Sequence, residues 1–216
     1  MNADSAVILA GGRSSRMGLP KAALPFGPST MLEHLIDALS GTFAEIIVVA
    51  APLRDETFSI DRSFKRRANL ILVRDDTAFA GPVGALRRGM MRARNEIVFA
   101  CSCDVPLLRS DLAKTLCALV EDGDAAIPTI EGRLQPLCAA YRRDRAAAAL
   151  AAMEAAGELR LSLIAERLEV HAIDETALRV IDPDLRSFLN VNTADDYAQA
   201  LRLACAARPS DRQRFE

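Results

Sequence analysis

Short apolar runs alternate with amphipathic stretches along most of the chain. Ala6 to Ala10 (AVILA) is a compact apolar run that stops at Gly11-Gly12, the pattern of a buried strand opening into a loop. Thr30-Met-Leu-Glu33 has capping-box spacing, and Leu32, Leu35, Ile36 and Leu39 then recur at helical intervals. Glu45 to Ala50 (EIIVVA) and Leu70 to Val73 (LILV) read as a second and a third buried strand. Val83 to Ala93 predicts a helix, Glu96 to Cys101 (EIVFAC) a fourth strand, and Ser110 to about Asp122 a further helix. Ala125 to Pro128 is another short strand, and Arg133 to Tyr141 is extended. The Ala-rich stretch Asp144 to Ala156 is helical by propensity, and Thr193 to Ala206 predicts a C-terminal helix from an Asn-Thr cap.

Strand and helix in alternation imply right-handed crossovers and a mainly parallel sheet. The expected fold is therefore α/β and doubly wound, a Rossmann-like single domain over residues 1–207 with a frayed polar tail at 208–216. Ligands of such sheets bind at the carboxyl ends of the strands, so candidate chemistry belongs just after the apolar runs.

Composition narrows the class. Half of the 216 residues are hydrophobic, which excludes disorder throughout. With 27 basic against 29 acidic residues the net charge is −2, without the basic excess of a general nucleic-acid binder. No apolar run reaches the roughly 18 residues of a membrane span. The N-terminal Met-Asn-Ala-Asp lacks the features of a signal peptide, so a soluble, cytoplasmic protein is expected, with neither nucleic acid nor membrane as partner. Five cysteines (Cys101, Cys103, Cys117, Cys138, Cys205) stand in apolar segments and read as buried, reduced thiols. Cys101 and Cys103 form a C-x-C pair, but no second pair or nearby histidine completes a zinc site.

After the first strand comes Leu9-Ala10-Gly11-Gly12-Arg13-Ser14-Ser15-Arg16-Met17-Gly18-Leu19-Pro20-Lys21. Adjacent glycines let backbone amides turn toward a ligand, and Arg16 and Lys21 supply the two positive charges a triphosphate needs. Neither a P-loop nor the G-x-G-x-x-G spacing fits this string. Asp104 follows the fourth strand, where a carboxylate reaches into the crevice and suits Mg²⁺ shared with phosphate oxygens and waters. Asn190 and Asn192 stand two apart, so in extended backbone they share one face and could serve metal, phosphate or a second substrate.

The string LAGGRSSRMGLPK resembles the nucleotidyltransferase loop of the molybdenum cofactor guanylyltransferases and of their sugar-phosphate nucleotidyltransferase relatives. GPVGAL (81–86), CDVPLL (103–108), QPLCAAY (135–141) and FLNVNT (188–193) resemble that family's later segments in the same order, so the resemblance covers residues 6 to about 200. It implies Mg²⁺-dependent transfer of GMP from GTP to the phosphate of the molybdenum cofactor, a molybdopterin, with release of pyrophosphate. Molybdoenzymes or other cofactor-biosynthesis proteins are then implied partners.

The resemblance also implies roles. Leu9, Ala10, Gly11, Gly12, Gly81 and Gly84 line the nucleotide pocket, and Asp75 (or its neighbour Asp76) lies near the nucleotide. Lys21 contacts the phosphates, Arg16 meets the leaving pyrophosphate and Asp104 holds the metal. Gln135 falls on the acceptor side, where Arg133, Arg142, Arg143 and Arg160 form a late basic set; Asn190 and Asn192 are in reach of metal, phosphate or pterin. Ala50-Ala51-Pro52 departs from the polar residue often found after the second strand. Other readings are a cytidylyltransferase for the same cofactor, a sugar- or alcohol-phosphate nucleotidyltransferase, and a non-catalytic cofactor carrier. Cytidylyl relatives more typically read LAAG, and Gly11 points instead to GTP.

Overall fold

The structure, a computed structural model, describes residues 4–11, 20–51, 70–74 and 81–206. Gly12, Arg16, Asp75, Asp76 and the tail at 208–216 lie outside the described residues.

In chain order the strands are β1 (Ser5–Leu9), β2 (Pro25–Phe26), β3 (Ser29–Thr30), β4 (Glu45–Ala50), β5 (Leu70–Arg74), β6 (Ile97–Ser102), β7 (Ala125–Ile130), β8 (Arg133–Leu134), β9 (Cys138–Arg142) and β10 (Val170–Ile173). The α-helices are α1 (Met31–Ser40), α2 (Pro82–Arg92), α3 (Ser110–Ala118), α4 (Arg143–Ala155), α5 (Glu175–Arg179) and α6 (Ala194–Ala206). The main sheet runs β10-β7-β9-β6-β1-β4-β5, with β8 paired to β7. β5, β4, β1 and β6 are parallel neighbours, and β10 is parallel to β7; β9 runs antiparallel between β6 and β7. The doubly wound, mainly parallel α/β architecture expected from the alternation is the one observed.

Alternation along each buried strand feeds two cores. Ala6, Ile8, Ile46 and Val48 face α1 and α3 in one cluster, which also takes in Leu178 of α5. Val7, Leu9, Ile47 and Val49 face α2 and α4 in the other. Both faces are covered, which is why these strands read as continuous apolar runs. Helix α1 starts on the anticipated box: the Thr30 hydroxyl accepts from the Glu33 N–H, and the Glu33 carboxylate accepts from the Thr30 N–H at 2.9 Å.

Several sequence expectations shift. The third helix stops at Ala118 rather than Asp122, because Val120 is buried and Glu121 takes a left-handed φ of 45° that turns the chain into β7. The extended 133–141 stretch is two strands. They are separated by a turn at 135–138 in which the Cys138 N–H donates to the Gln135 carbonyl. β8 joins β7 through Glu131-Gly132, both at positive φ (49° and 72°), the two-residue hairpin turn that favours glycine. The short ribbon β2–β3, together with β10 and α5, is too short to leave a periodic signature. Of the five cysteines, four are buried as read, whereas Cys205 is exposed; all five are free thiols. Among the described residues no helix is long and apolar enough to cross a membrane.

Arg142 and Arg143 correct an expectation about place. Arg142 pairs in register with Ile97, the first residue of β6, so both arginines sit at the amino ends of the parallel strands. There Arg142 donates to the carbonyls of Gly123 and Glu121 and pairs with Glu96, while Arg143 donates to the Ala93 carbonyl. They fasten loops at the far end of the sheet from the strand tips where ligands bind.

One glycine sets how closely α2 approaches the sheet. A Cβ at buried Gly89 would stand 2.4 Å from Val7 Cγ1 and 3.1 Å from Val7 Cγ2. Gly89→Ala is expected to destabilise by about 1–3 kcal/mol, overpacking outweighing the helix propensity gained. Urea unfolding of the single and double variants with Val7→Ala checks this. The double variant should be more stable than additivity predicts, by about 1 kcal/mol.

Candidate active site

β1 leaves the sheet toward α1 and β4, and β6 leaves toward α3 and β7, so two adjacent parallel strands send the chain to opposite sides. Their carboxyl ends form the switch point at which open α/β sheets bind ligands. The ends are locked together: the Cys103 N–H donates to the Leu9 carbonyl at 3.0 Å, and the Ala10 N–H donates to the Val49 carbonyl at 2.8 Å. Leu9, Ala10 and Gly11 thus leave one strand beside the point where Cys103 and Asp104 leave the other.

Two clefts open at these tips. The first, about 120 Å³, lies between the Leu9–Gly11 segment and Lys21 and is closed below by Ser102 and Asp104. The second, about 190 Å³, lies on the β9 side, between Gln135 and the turn after it, Leu161, Phe188 and Asn190, and also reaches Ser102 and Asp104. Ser102 and Asp104 are the residues the two clefts share.

Residues far apart in sequence meet over Asp104. The Lys21 ammonium donates to Asp104 Oδ2 at 3.1 Å and to Asn192 Oδ1 at 2.6 Å. Lys21 opens a single 3₁₀ turn, Lys21–Ala23, seated by buried Ala22. Beyond it Phe26 of the ribbon, with Leu24 before it and Met31 opening α1, joins Val191, Ala200 and Ala204 in a third apolar cluster. That cluster docks α6 and the 189–193 segment against the ribbon, and the Tyr197 hydroxyl donates to the Pro25 carbonyl. The Val191 N–H donates to the Asp104 carbonyl at 2.8 Å, so extended backbone buries Val191 and turns Asn190 and Asn192 outward, as their spacing anticipates. Asn190 lines the second cleft and Asn192 reaches the first through Lys21.

Asp104 Oδ1 is buried and, among the described residues, without a hydrogen-bond partner. A carboxylate oxygen left open at the junction of two clefts fits a divalent cation, and no cluster of three or more His, Cys, Asp or Glu that could hold a metal occurs among the described residues. One carboxylate with an open side matches a cation that arrives with phosphate and water rather than one caged by protein. The neighbouring thiols are unsuited to nucleophilic chemistry: burial pushes Cys103 up to about 12, and burial likewise raises Cys101 and Cys138.

The other candidates divide. Gln135 lines the second cleft, held by its own N–H on the Pro128 carbonyl, while the buried Tyr141 hydroxyl pins the Pro136 carbonyl beside it at 2.7 Å. Gly81 caps α2 at φ 88°, and a Cβ there would face Leu159, one residue from exposed Arg160 and two from Leu161 of the second cleft. Gly84 lines neither cleft among the described residues; a Cβ on it would meet Glu154 Oε1, the far end of an exposed side chain, at 2.7 Å. Arg133 is exposed on β8 and accepts at its carbonyl from Gln135 Nε2. Sequence reasoning missed Ser102, which sits between two cysteines with no motif of its own. The available signal was its position as the last residue of β6.

A switch-point cleft in which Lys21 and Asn192 meet Asp104 at the tips of parallel strands suits a nucleotide-handling α/β protein. The family described as the MobA-like NTP transferase domain matches residues 6–171, and the chain belongs to that family of nucleotidyltransferases. It is 32% identical over 196 residues to a probable molybdenum cofactor guanylyltransferase of Methanosarcina mazei, covering 89% of this chain and 87% of that one. It is 31% identical to a molybdenum cofactor guanylyltransferase of Desulfosudis oleivorans, covering 97% and 100%. Its fold is similar to that of molybdopterin-guanine dinucleotide biosynthesis protein A from Archaeoglobus fulgidus (TM-score 0.77, 21% identity, 94% and 100% covered). A 2-C-methyl-D-erythritol 4-phosphate cytidylyltransferase from Thermus thermophilus is similar in fold as well (TM-score 0.68, 16% identity, 92% and 97% covered).

Asp196 holds the Asn192 segment in place, its carboxylate accepting from the Asn192 N–H at 2.9 Å and the Thr193 N–H at 2.8 Å. These bonds hold its pKa below the ordinary carboxylate value. A depressed folded pKa stabilises the fold above the unfolded value of about 3.9, and that contribution is lost as pH falls through the folded value. Asp196→Asn should therefore be less stable than wild type at pH 7, and the difference should shrink toward pH 3; denaturant titrations at both pH values measure it.

Proposed function

We propose that this protein transfers GMP from GTP to the phosphate of the molybdenum cofactor, molybdopterin with its bound molybdenum, releasing pyrophosphate in a Mg²⁺-dependent reaction. The observation that carries the reading is the pair of clefts meeting at Asp104, one bounded by Leu9–Gly11 and Lys21 and the other lined by Gln135, Leu161, Phe188 and Asn190. The guanylyl and molybdopterin assignment follows the relatives' names, and Gly11 agrees with GTP.

An oxygen of the acceptor phosphate attacks the α-phosphorus of GTP, and the bond from that phosphorus to the bridging oxygen of pyrophosphate breaks. The attacking oxygen is already anionic near neutral pH, so the site needs positioning and charge neutralisation rather than a strong base. The backbone at Leu9–Gly11, and Gly12 following it, cradles the donor. Lys21 moves its hydrogen bonds from Asp104 and Asn192 to the phosphates, and Arg16 meets the charge that grows on pyrophosphate. Asp75 or its neighbour Asp76 contacts the nucleotide. Asp104 would hold Mg²⁺, which when bound neutralises phosphate charge. Gln135 and Asn190 orient the acceptor from the second cleft.

Asp104→Asn should leave the fold intact and lower Mg²⁺-dependent turnover by about 10²-fold or more. Pyrophosphate release across a Mg²⁺ series, with unfolding followed in parallel, is the check. Near-normal turnover at limiting Mg²⁺ would remove Asp104 from the metal.

Base choice is tested by kcat/KM for GTP, CTP, ATP and UTP with molybdenum-loaded molybdopterin. GTP should be preferred. Gly11→Ala should narrow the GTP-to-CTP ratio without unfolding the protein, because a Cβ there makes only an ordinary 3.5 Å contact with the Ala51 nitrogen. A preference for CTP in wild type would transfer the assignment to cytidylyl transfer.

A further inference from the structure

We infer that Ser102 is a substrate-contacting residue whose hydroxyl donates a hydrogen bond to the phosphate of the acceptor, fixing the acceptor with its phosphate at the junction of the clefts and its ring system against Leu161 and Phe188. The inference rests on reading the second cleft as the acceptor side.

Ser102 is the last residue of β6, paired in register with Leu9. Cys101 and Cys103 on either side turn their thiols into the α1–α3 core, so strand alternation points Ser102 to the opposite face. Its backbone is held rigidly, the N–H donating to the Leu137 carbonyl at 3.3 Å. Its hydroxyl, by contrast, has no hydrogen-bond partner among the described residues. It lies half-buried where both clefts open, lining each of them together with Asp104, whose Oδ1 has no partner among the described residues.

The assignment to the acceptor follows from what each cleft already offers. On the donor side Lys21 and the backbone of the first loop supply donors for a triphosphate. On the other side the neutral amides are partly committed: Gln135 Nε2 donates to the Arg133 carbonyl, and Asn190 Nδ2 donates to the Phe188 carbonyl. The walls there, Val105, Leu137, Leu161 and Phe188, are apolar and suit a flat ring system rather than a charge. A phosphate monoester in this cleft is stabilised only at its polar end, where Ser102 donates and a cation on Asp104 neutralises. Placed there, an acceptor oxygen lies next to the donor's cleft, as in-line attack requires. A hydrogen bond to an ionised oxygen contributes about twice a neutral one, so its loss is measurable.

The test is a cycle that does not depend on turnover. A pterin bearing a phosphate monoester, and the same pterin with a free hydroxyl in its place, are titrated by fluorescence in the presence of Mg²⁺ against wild type, Ser102→Ala and Ser102→Thr. Ser102→Ala should weaken the phosphorylated pterin about tenfold or more and leave the unphosphorylated one unchanged, while Ser102→Thr retains wild-type affinity. Binding of a fluorescent GTP analogue should move less than about twofold in either variant, which a general collapse of the strand tip would not permit. Equal loss for both pterins, no loss for either, or a wild type that does not distinguish them overturns the inference. Failure of the guanylyl reading shows elsewhere: wild type would then retain the phosphate-dependent difference yet release no pyrophosphate from GTP.

Discussion

Two parallel strands that end side by side and then part company leave a gap that their own backbones cannot fill. In this protein the strands are β1 and β6, tied at their ends by the Cys103 N–H on the Leu9 carbonyl. That bond sets the spacing between the loop after β1 and the turn holding Asp104. Everything functional is arranged around it. Gly11 lies on one side, Asp104 and Ser102 at the floor, and the antiparallel insertion of β9 on the other side builds a second cleft against the first.

The packing that supports the gap is unequal. The two large apolar clusters, one on each face of the sheet, fix β1, β4 and β6 from both sides. The residues that complete the site are held by a smaller cluster in which Phe26 and Met31 meet Val191 and Ala200. This cluster joins residues near the start of the chain to residues near its end. Lys21 and Asn192, 171 positions apart, hydrogen-bond because of it. A rigid floor with a separately docked rim lets a charged rim group exchange a protein partner for a phosphate without disturbing the sheet.

Much of this is legible in the sequence where a local signal exists. AVILA, EIIVVA and EIVFAC are strands because both sides of each are buried, and the Thr30–Glu33 box places α1 to the residue. Asp104 stands out because it follows a strand and Lys21 because it closes the glycine-bearing loop after β1, and the x-Asn-x-Asn spacing correctly anticipates outward-facing amides. What escapes is whatever depends on partners distant in the chain. Arg142 and Arg143 look like acceptor-side cations until antiparallel β9 carries them to the other end of the sheet. Ser102 carries no motif and acquires meaning only from the two clefts that meet at it.

Diffraction from crystals soaked with Mn²⁺ and a non-hydrolysable GTP analogue tests the shared junction most directly. The anomalous peak should sit on Asp104 Oδ1, with the triphosphate between Leu9–Gly11 and Lys21 and the second cleft beside Gln135 left for the acceptor. A manganese peak away from Asp104, or a nucleotide lying in the cleft lined by Leu161 and Phe188, would contradict the assignment of donor and acceptor sides.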